Sequence, residues 1–233
     1  MSENHKNSIW IIPWGSIEYH GPHLPLLTDS IIAYHVSKEI AKGINGKVFE
    51  PISKGICFHM GVFPETISYP KNQVLKIFKE VFERADRSNV RRIYLIIGHG
   101  ENFNLIPDIL NNYSQKSNLE IKPFYIYDKM ILDIICKHTT SELIFNIVHG
   151  GEIETSLMLE IQEELVHTDK DMIRIYPNIT EELLIERYDE IPLGSFTPIG
   201  YFGDPNVASK SKGTKFLKII LECFYKSFNS NYK

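Results

Sequence analysis

Arg91-Arg92-Ile93-Tyr94-Leu95-Ile96-Ile97-Gly98-His99-Gly100-Glu101-Asn102 is the stretch that decides the fold class. Its five consecutive apolar residues have strand length and no polar alternation, the pattern of a strand covered on both faces. Sheets of that kind are parallel and lie between helices. The glycines and polar residues that follow put His99 and Glu101 at the strand's C-terminal end, the edge where open parallel sheets bind ligands.

The alternation extends both ways from this strand. Upstream, Ser8 to Pro13 is a second short apolar run, ending in the turn residues Trp14-Gly15-Ser16. Ser30 to Lys42 suits a helix, with Thr28, Asp29 or Ser30 available as its N-cap, and Lys47 to Ile52 suits a strand. Gly55 to Tyr69 is a loop rich in His, Phe, Pro and Gly. Gln73 to Ala85 carries Val74, Ile77, Phe78, Val81, Phe82 and Ala85 in steps of three and four, the mark of an amphipathic helix. Downstream, a helix from Phe103 to Ser117 with Pro107 disturbing its first turns, a strand from Ile121 to Tyr127 and helices at Lys129 to Lys137, Glu152 to Leu165 and Lys212 to Phe228 continue the pattern. A strand at Met172 to Tyr176 and a short helix at Glu181 to Tyr188 complete the reading. The prediction is a three-layer α/β/α fold with a mainly parallel central sheet. At 233 residues, the chain fits one such domain spanning 1–233.

Composition excludes several classes. The 29 acidic and 25 basic residues give a net charge of −4, without the clustered basic footprint of a nucleic-acid-binding protein. Cys57, Cys136 and Cys223 are few, scattered and far from CxxC spacing, as expected of free thiols in a reducing compartment. The polar stretch from Met1 to Ser8 lacks a signal-peptide core, and no apolar run nears the ~18 residues that span a bilayer. A soluble, cytoplasmic protein without membrane partners is expected.

Glu18-Tyr19-His20, Asp29 and His99-Gly100-Glu101 then stand out. Each pair is spaced i, i+2, which on an extended strand end points both side chains to one face. The five residues supply enough nitrogen and oxygen donors for two divalent ions, and Asp29 has two oxygens with which to bridge them. A mixed His and carboxylate set suits Zn, Mn or Fe(II) better than Ca. Read singly, each such pair is as well explained by polar residues at turns and helix caps.

Pro13-Trp14-Gly15-Ser16-Ile17-Glu18-Tyr19-His20-Gly21-Pro22-His23-Leu24-Pro25 through Thr28-Asp29 resembles the opening signature of the creatininase (creatinine amidohydrolase) family. Gly98-His99-Gly100-Glu101-Asn102 resembles its second metal motif, His149-Gly150-Gly151-Glu152-Ile153-Glu154-Thr155-Ser156-Leu157-Met158-Leu159 its third block, and Gly203-Asp204-Pro205 with Gly213 its C-terminal segment. The resemblance implies a binuclear centre with Glu18, Asp29 and His99 on one ion, His20, Asp29 and Glu101 on the other, and Asp29 bridging. It implies hydrolysis of a carbon–nitrogen bond in a linear or cyclic small-molecule amide, with His149 in proton transfer and Glu101 able to double as a base. It also implies a symmetric homo-oligomer, frequently a hexamer.

Two departures bear on the substrate. Val148 stands where creatininase proper has a Glu before the catalytic His, and neither Trp10 nor Trp14 lies near it, which argues against creatinine. The His-Gly-Gly-Glu form is closer to formamide hydrolases of flavin and deazaflavin biosynthesis and to the peptidase of mycofactocin maturation. Glu65 replaces the Gly of a family Phe-Pro-Gly-Thr segment, where positive φ would be costly for Glu. His59 and Glu152 are candidates for the substrate pocket, although a loop His and a first-turn Glu favoured by the helix dipole are equally ordinary. His23 is a candidate to orient ligands, and His35 has no assigned role. The expected activity is amide hydrolysis, a formamide being the closest substrate class; the alternatives are a peptidase trimming a short peptide and a metal-binding protein without catalysis.

Overall fold

The structure, a computed structural model, describes residues 8–113, 119–141, 147–167, 172–176, 180, 182, 186–187 and 190–230. Four strands form one parallel sheet in the order β2-β1-β3-β4: β1 is Ile9–Trp14, β2 Lys47–Val48, β3 Arg92–Ile97 and β4 Glu120–Tyr125. The helices are α1 (Thr28–Ile44), α2 (Lys71–Arg87), α3 (Gly100–Phe103), α4 (Ile106–Tyr113), α5 (Lys129–Ile135), α6 (Glu152–Ile161) and α7 (Lys210–Ser230). The α/β class with a mainly parallel sheet is as the apolar run of β3 predicts, and all six β3 residues are buried.

The chain divides into two compact units. Unit 1 is 1–16, 29–56 and 68–126; unit 2 is 17–28, 57–67 and 127–233. Unit 1 holds the sheet. Strand residues of one parity, Trp10, Ile12, Trp14, Ile93, Leu95 and Ile97, pack with Val74, Phe78 and Phe82 of α2 and Ile106 and Ile109 of α4. Residues of the other parity, Ile11, Tyr94 and Ile96, point to the opposite face and are equally buried, as is the α1 stripe Ile32, Val36 and Ile40. Unit 2 contains α5, α6 and α7 and a second core built on Met60, Ile175, Leu193, Tyr201 and Phe202. No helix among the described residues is long and apolar enough to cross a membrane.

Three local expectations are corrected. The strand predicted over Lys47 to Ile52 shrinks to Lys47–Val48. Phe49 N–H donates to Ile11 O and Ile52 N–H to Pro13 O, so this segment advances three residues while β1 advances two. The extra residue bulges at Glu50-Pro51, where Pro51 has no N–H for the ladder. The helix predicted from Phe103 begins at Gly100 and breaks before Ile106. Pro107 does not disturb α4 but opens it, in the first turn where a missing N–H costs nothing. The strand at Met172 to Tyr176 is a single bridge between Ile175 and Gly203, and most of the helix expected at Glu181 to Tyr188 lies outside the described residues. Cys57, Cys136 and Cys223 form no disulfide.

Candidate metal centre

In unit 1, β3 delivers His99 and the start of α1 delivers Asp29. Asp29 sits in the first turn of α1, inside the helix that Thr28 opens, where the helix dipole favours a carboxylate. Ser16 Oγ donates to Asp29 Oδ2 at 2.6 Å, and His99 Nδ1 lies 3.1 Å from the same oxygen. His99 Nε2 donates to Ile56 O at 2.7 Å, so in the neutral ring Nδ1 carries a lone pair aimed at a carboxylate oxygen. Two buried lone pairs at that distance call for a positive charge, a proton or a metal ion, between them. Gly98 permits the approach, because a Cβ there would collide with the backbone oxygen of Asp29. Glu101 lies in the first turn of α3 rather than on an extended strand end, a correction that follows from the helix starting at Gly100. Its Oε2 is 3.8 Å from His99 Nε2.

Asn102 was not singled out by sequence, yet it is fully buried and braces this half. Its amide donates to Gly15 O at 2.8 Å and its oxygen accepts Ile56 N–H at 3.3 Å. It thereby holds the residue whose carbonyl sets the His99 tautomer. Its place directly after the His-Gly-Glu motif was the available signal.

In unit 2, Glu18 and His20 lie outside the named strands, in the segment before α1 that follows Ile17, which bridges Ile67. His20 Nδ1 donates to Glu18 O at 2.9 Å, leaving Nε2 3.7 Å from Glu154 Oε2. His149 Nε2 donates to Tyr19 O at 2.9 Å, leaving Nδ1 3.8 Å from Glu18 Oε2. The rings of His20 and His149 are in tilted contact, 4.2 Å between centroids and 31° between planes. Glu18, His20 and His149 each offer a donor atom within 4.8 Å of the others, and all three are buried. Gly150, at φ 64°, makes the turn that carries His149; a Cβ there would meet Tyr201 Cβ at 2.5 Å and His20 O at 2.8 Å.

The pocket candidates fare differently. Glu152 is buried with its carboxylate taken up by Lys212 Nζ at 2.5 Å and by Thr140 N–H, Ser141 N–H and Ser141 Oγ. Burial acts to raise its pKa, but Lys212 and the Ser141 and Thr140 donors outweigh it and hold the carboxyl below its ordinary value. The cavity that Glu152 lines with Val148 and His149 measures about 20 Å³, room for one water. His59 is buried in the loop after Ile56, which Gly194 N–H anchors through His59 O at 2.8 Å; it is not part of the Glu18, His20 and His149 group. Glu65 is not among the residues at positive φ, so the loop closes with ordinary backbone where the family has Gly.

His23 supports the His149 turn. Its Nε2 lies 2.9 Å from Gly150 O and 3.0 Å from Thr155 Oγ1, while Nδ1 meets no hydrogen-bonding partner among the described residues. Burial lowers its pKa to about 4, against the opposing bond to Gly150 O and with the help of His20, His149 and His167. The unfolded chain, with an ordinary His near 6.5, therefore binds the extra proton first. Stability is fully present above about pH 6.5 and is lost as the pH falls towards 4, by up to about 3 kcal/mol. In metal-free protein, urea unfolding from pH 7 to 4 should show this slope, and His23→Gln should flatten it. Equal slopes in the two proteins would exclude His23 as the source.

Fold and donor chemistry together define a parallel-sheet α/β protein with His and carboxylate donors at a strand's C-terminal end. A family model described as Creatininase, creatinine amidohydrolase, matches residues 2–227, and the chain belongs to that family. Members of the family are hydrolases, some of them acting on carbon–nitrogen amide bonds. The chain is 26% identical over 226 residues to a mycofactocin precursor peptide peptidase of Mycobacterium ulcerans (strain Agy99), covering 91% of this chain and 82% of that protein. It is 27% identical over 177 residues to a 2-amino-5-formylamino-6-ribosylaminopyrimidin-4(3H)-one 5'-monophosphate deformylase of Methanothermobacter thermautotrophicus (strain ATCC 29096 / DSM 1053 / JCM 10044 / NBRC 100330 / Delta H), covering 73% and 67%. A solved structure described as "Creatininase Mn" superposes with a TM-score of 0.79 at 20% identity, covering 97% of this chain and 91% of that one, and supports the fold.

Proposed function

We propose that the chain is a divalent-metal-dependent amidohydrolase that cleaves the C–N bond of a small linear or cyclic amide, with a formamide as the favoured substrate class. One observation carries this reading. His20, His99 and His149 each give one ring N–H to a backbone carbonyl and turn the other nitrogen toward a carboxylate. Backbone acceptors of this kind fix the tautomer of metal-binding and proton-transferring histidines. The donor set fits Zn, Mn or Fe(II). The family pattern assigns Glu18, Asp29 and His99 to one ion and His20, Asp29 and Glu101 to the other.

Such ions, when bound, polarise the amide carbonyl and lower the pKa of water. The remaining work falls to the chain. The departing nitrogen must gain a proton, and His149 is the group to deliver it: Nε2 is committed to Tyr19 O, so Nδ1 is the atom that takes up and releases the proton. Glu101 is the second carboxylate suited to proton transfer. The formamide preference rests on the deformylase relative and on Val148 in the place of the creatininase Glu.

The peptidase relative, matched over nine-tenths of this chain, favours a short peptide as the second reading. Protein reconstituted separately with Zn, Mn and Fe(II) should be offered N-formyl amines, lactams, creatinine and short peptides. Turnover of the formyl compounds above the rest is expected. Release of amino acids from peptides alone would establish the second reading, and metal binding without turnover of any class would remove both.

A further inference from the structure

We infer that Glu154 is a further carboxylate of the metal centre, acting on the ion held by His20. This rests on the metal-dependent reading above. Glu154 lies in the first turn of α6 and is 1% exposed, where the helix dipole favours its anionic form. Its Oε2 accepts Gly150 N–H at 2.6 Å and faces His20 Nε2 at 3.7 Å. Because His20 Nδ1 donates to Glu18 O, Nε2 of the neutral ring presents a lone pair, not a proton, to that carboxylate. Nitrogen and oxygen ligands of one zinc at about 2.0–2.2 Å stand roughly 3.4 Å apart in a tetrahedron, so 3.7 Å suits two donors sharing one cation.

The same oxygen ties the ion to the catalytic turn. Gly150 follows His149, and its N–H is held by the oxygen that faces His20. Charge at His20 therefore reaches the position of the His149 ring, which lies against the His20 ring. A carboxylate ion pair with protonated His20 is the structural alternative, and it makes a different forecast. It would be lost as stability of the metal-free protein, with metal binding unchanged.

Glu154→Gln keeps an oxygen for Gly150 N–H and removes the charge. Zinc affinity, measured by competition with a chromophoric chelator, and metal content by elemental analysis should show one equivalent weakened by at least the roughly 10- to 100-fold that loss of a ligand's hydrogen-bonding support alone causes. The second equivalent and the melting temperature of the metal-free variant should stay near wild type. Glu154→Asp, with the charge kept but one methylene fewer, should shift the visible bands of the cobalt-loaded protein, and it provides the test even where Glu154→Gln does not fold. Wild-type zinc affinity in the Gln variant, or cobalt bands unchanged in the Asp variant, would overturn the role of Glu154 alone. Failure of the wild-type protein to bind zinc or cobalt would overturn the metal reading itself.

Discussion

Asp29→Asn is expected to leave the protein folded, strip its divalent ions and reduce turnover by about 10³-fold or more. Asn is isosteric, and its side-chain oxygen can still accept the 2.6 Å bond from Ser16 Oγ. What disappears is the charge that His99 Nδ1 faces at 3.1 Å, on a residue only 2% exposed. In the proposed centre Asp29 serves both ions, so no other single change removes as much anionic ligand. Losing the Lewis acid forfeits several kcal/mol of transition-state stabilisation, and each 1.36 kcal/mol is a factor of ten in rate. Elemental analysis and circular dichroism on the same preparation are the measurements. A folded variant with full metal content and normal turnover would show that Asp29 is only a buried helix-end carboxylate.

His149→Gln is expected to lower kcat by about 10²–10⁴-fold with metal content unchanged, the range for removal of a general acid–base group. Nε2 of His149 is held by Tyr19 O, and the ring packs on His20, so the imidazole is oriented with Nδ1 as the working atom. Gln can fill much of the space but cannot exchange a proton near neutral pH. The limb of the pH–rate profile set by an imidazole should vanish in the variant. If His149→Gln instead loses a metal ion, its Nδ1 is a ligand within the Glu18, His20 and His149 group, and the proton must come from elsewhere. Full activity with the pH profile intact would remove His149 from the reaction.

Much of the fold was legible because it is encoded locally. The apolar run Ile93 to Ile97 and the stripe through Val74, Phe78 and Phe82 carry periods of buried strand and amphipathic helix that neighbours only reinforce. The misread boundaries lie where geometry is settled by a partner. The bulge at Glu50-Pro51 depends on hydrogen bonds to β1, and the early start of α3 puts Glu101 on a helix although its spacing suits a strand end. From sequence Glu152, not Glu154, is the pocket candidate, although both fall in one helical turn. Lys212, sixty positions away, claims the first. His20 meets the second.

By itself, the sequence determined the fold class, the order of strands and helices, and the donor types from Glu18 to Glu101, because residue type and period are local properties. Only the tertiary structure decided which nitrogen of each imidazole is committed, since the acceptors are the carbonyls of Glu18, Ile56 and Tyr19. It alone drew His23 against Gly150 and Thr155, more than a hundred residues along, and so lowered its pKa by burial. It alone gave Asn102 its bracing role and Glu154 its place before His20. The physical reason is that tautomer, desolvation and lone-pair direction are set by whichever groups the folded chain brings within about 4 Å, and no local period records them.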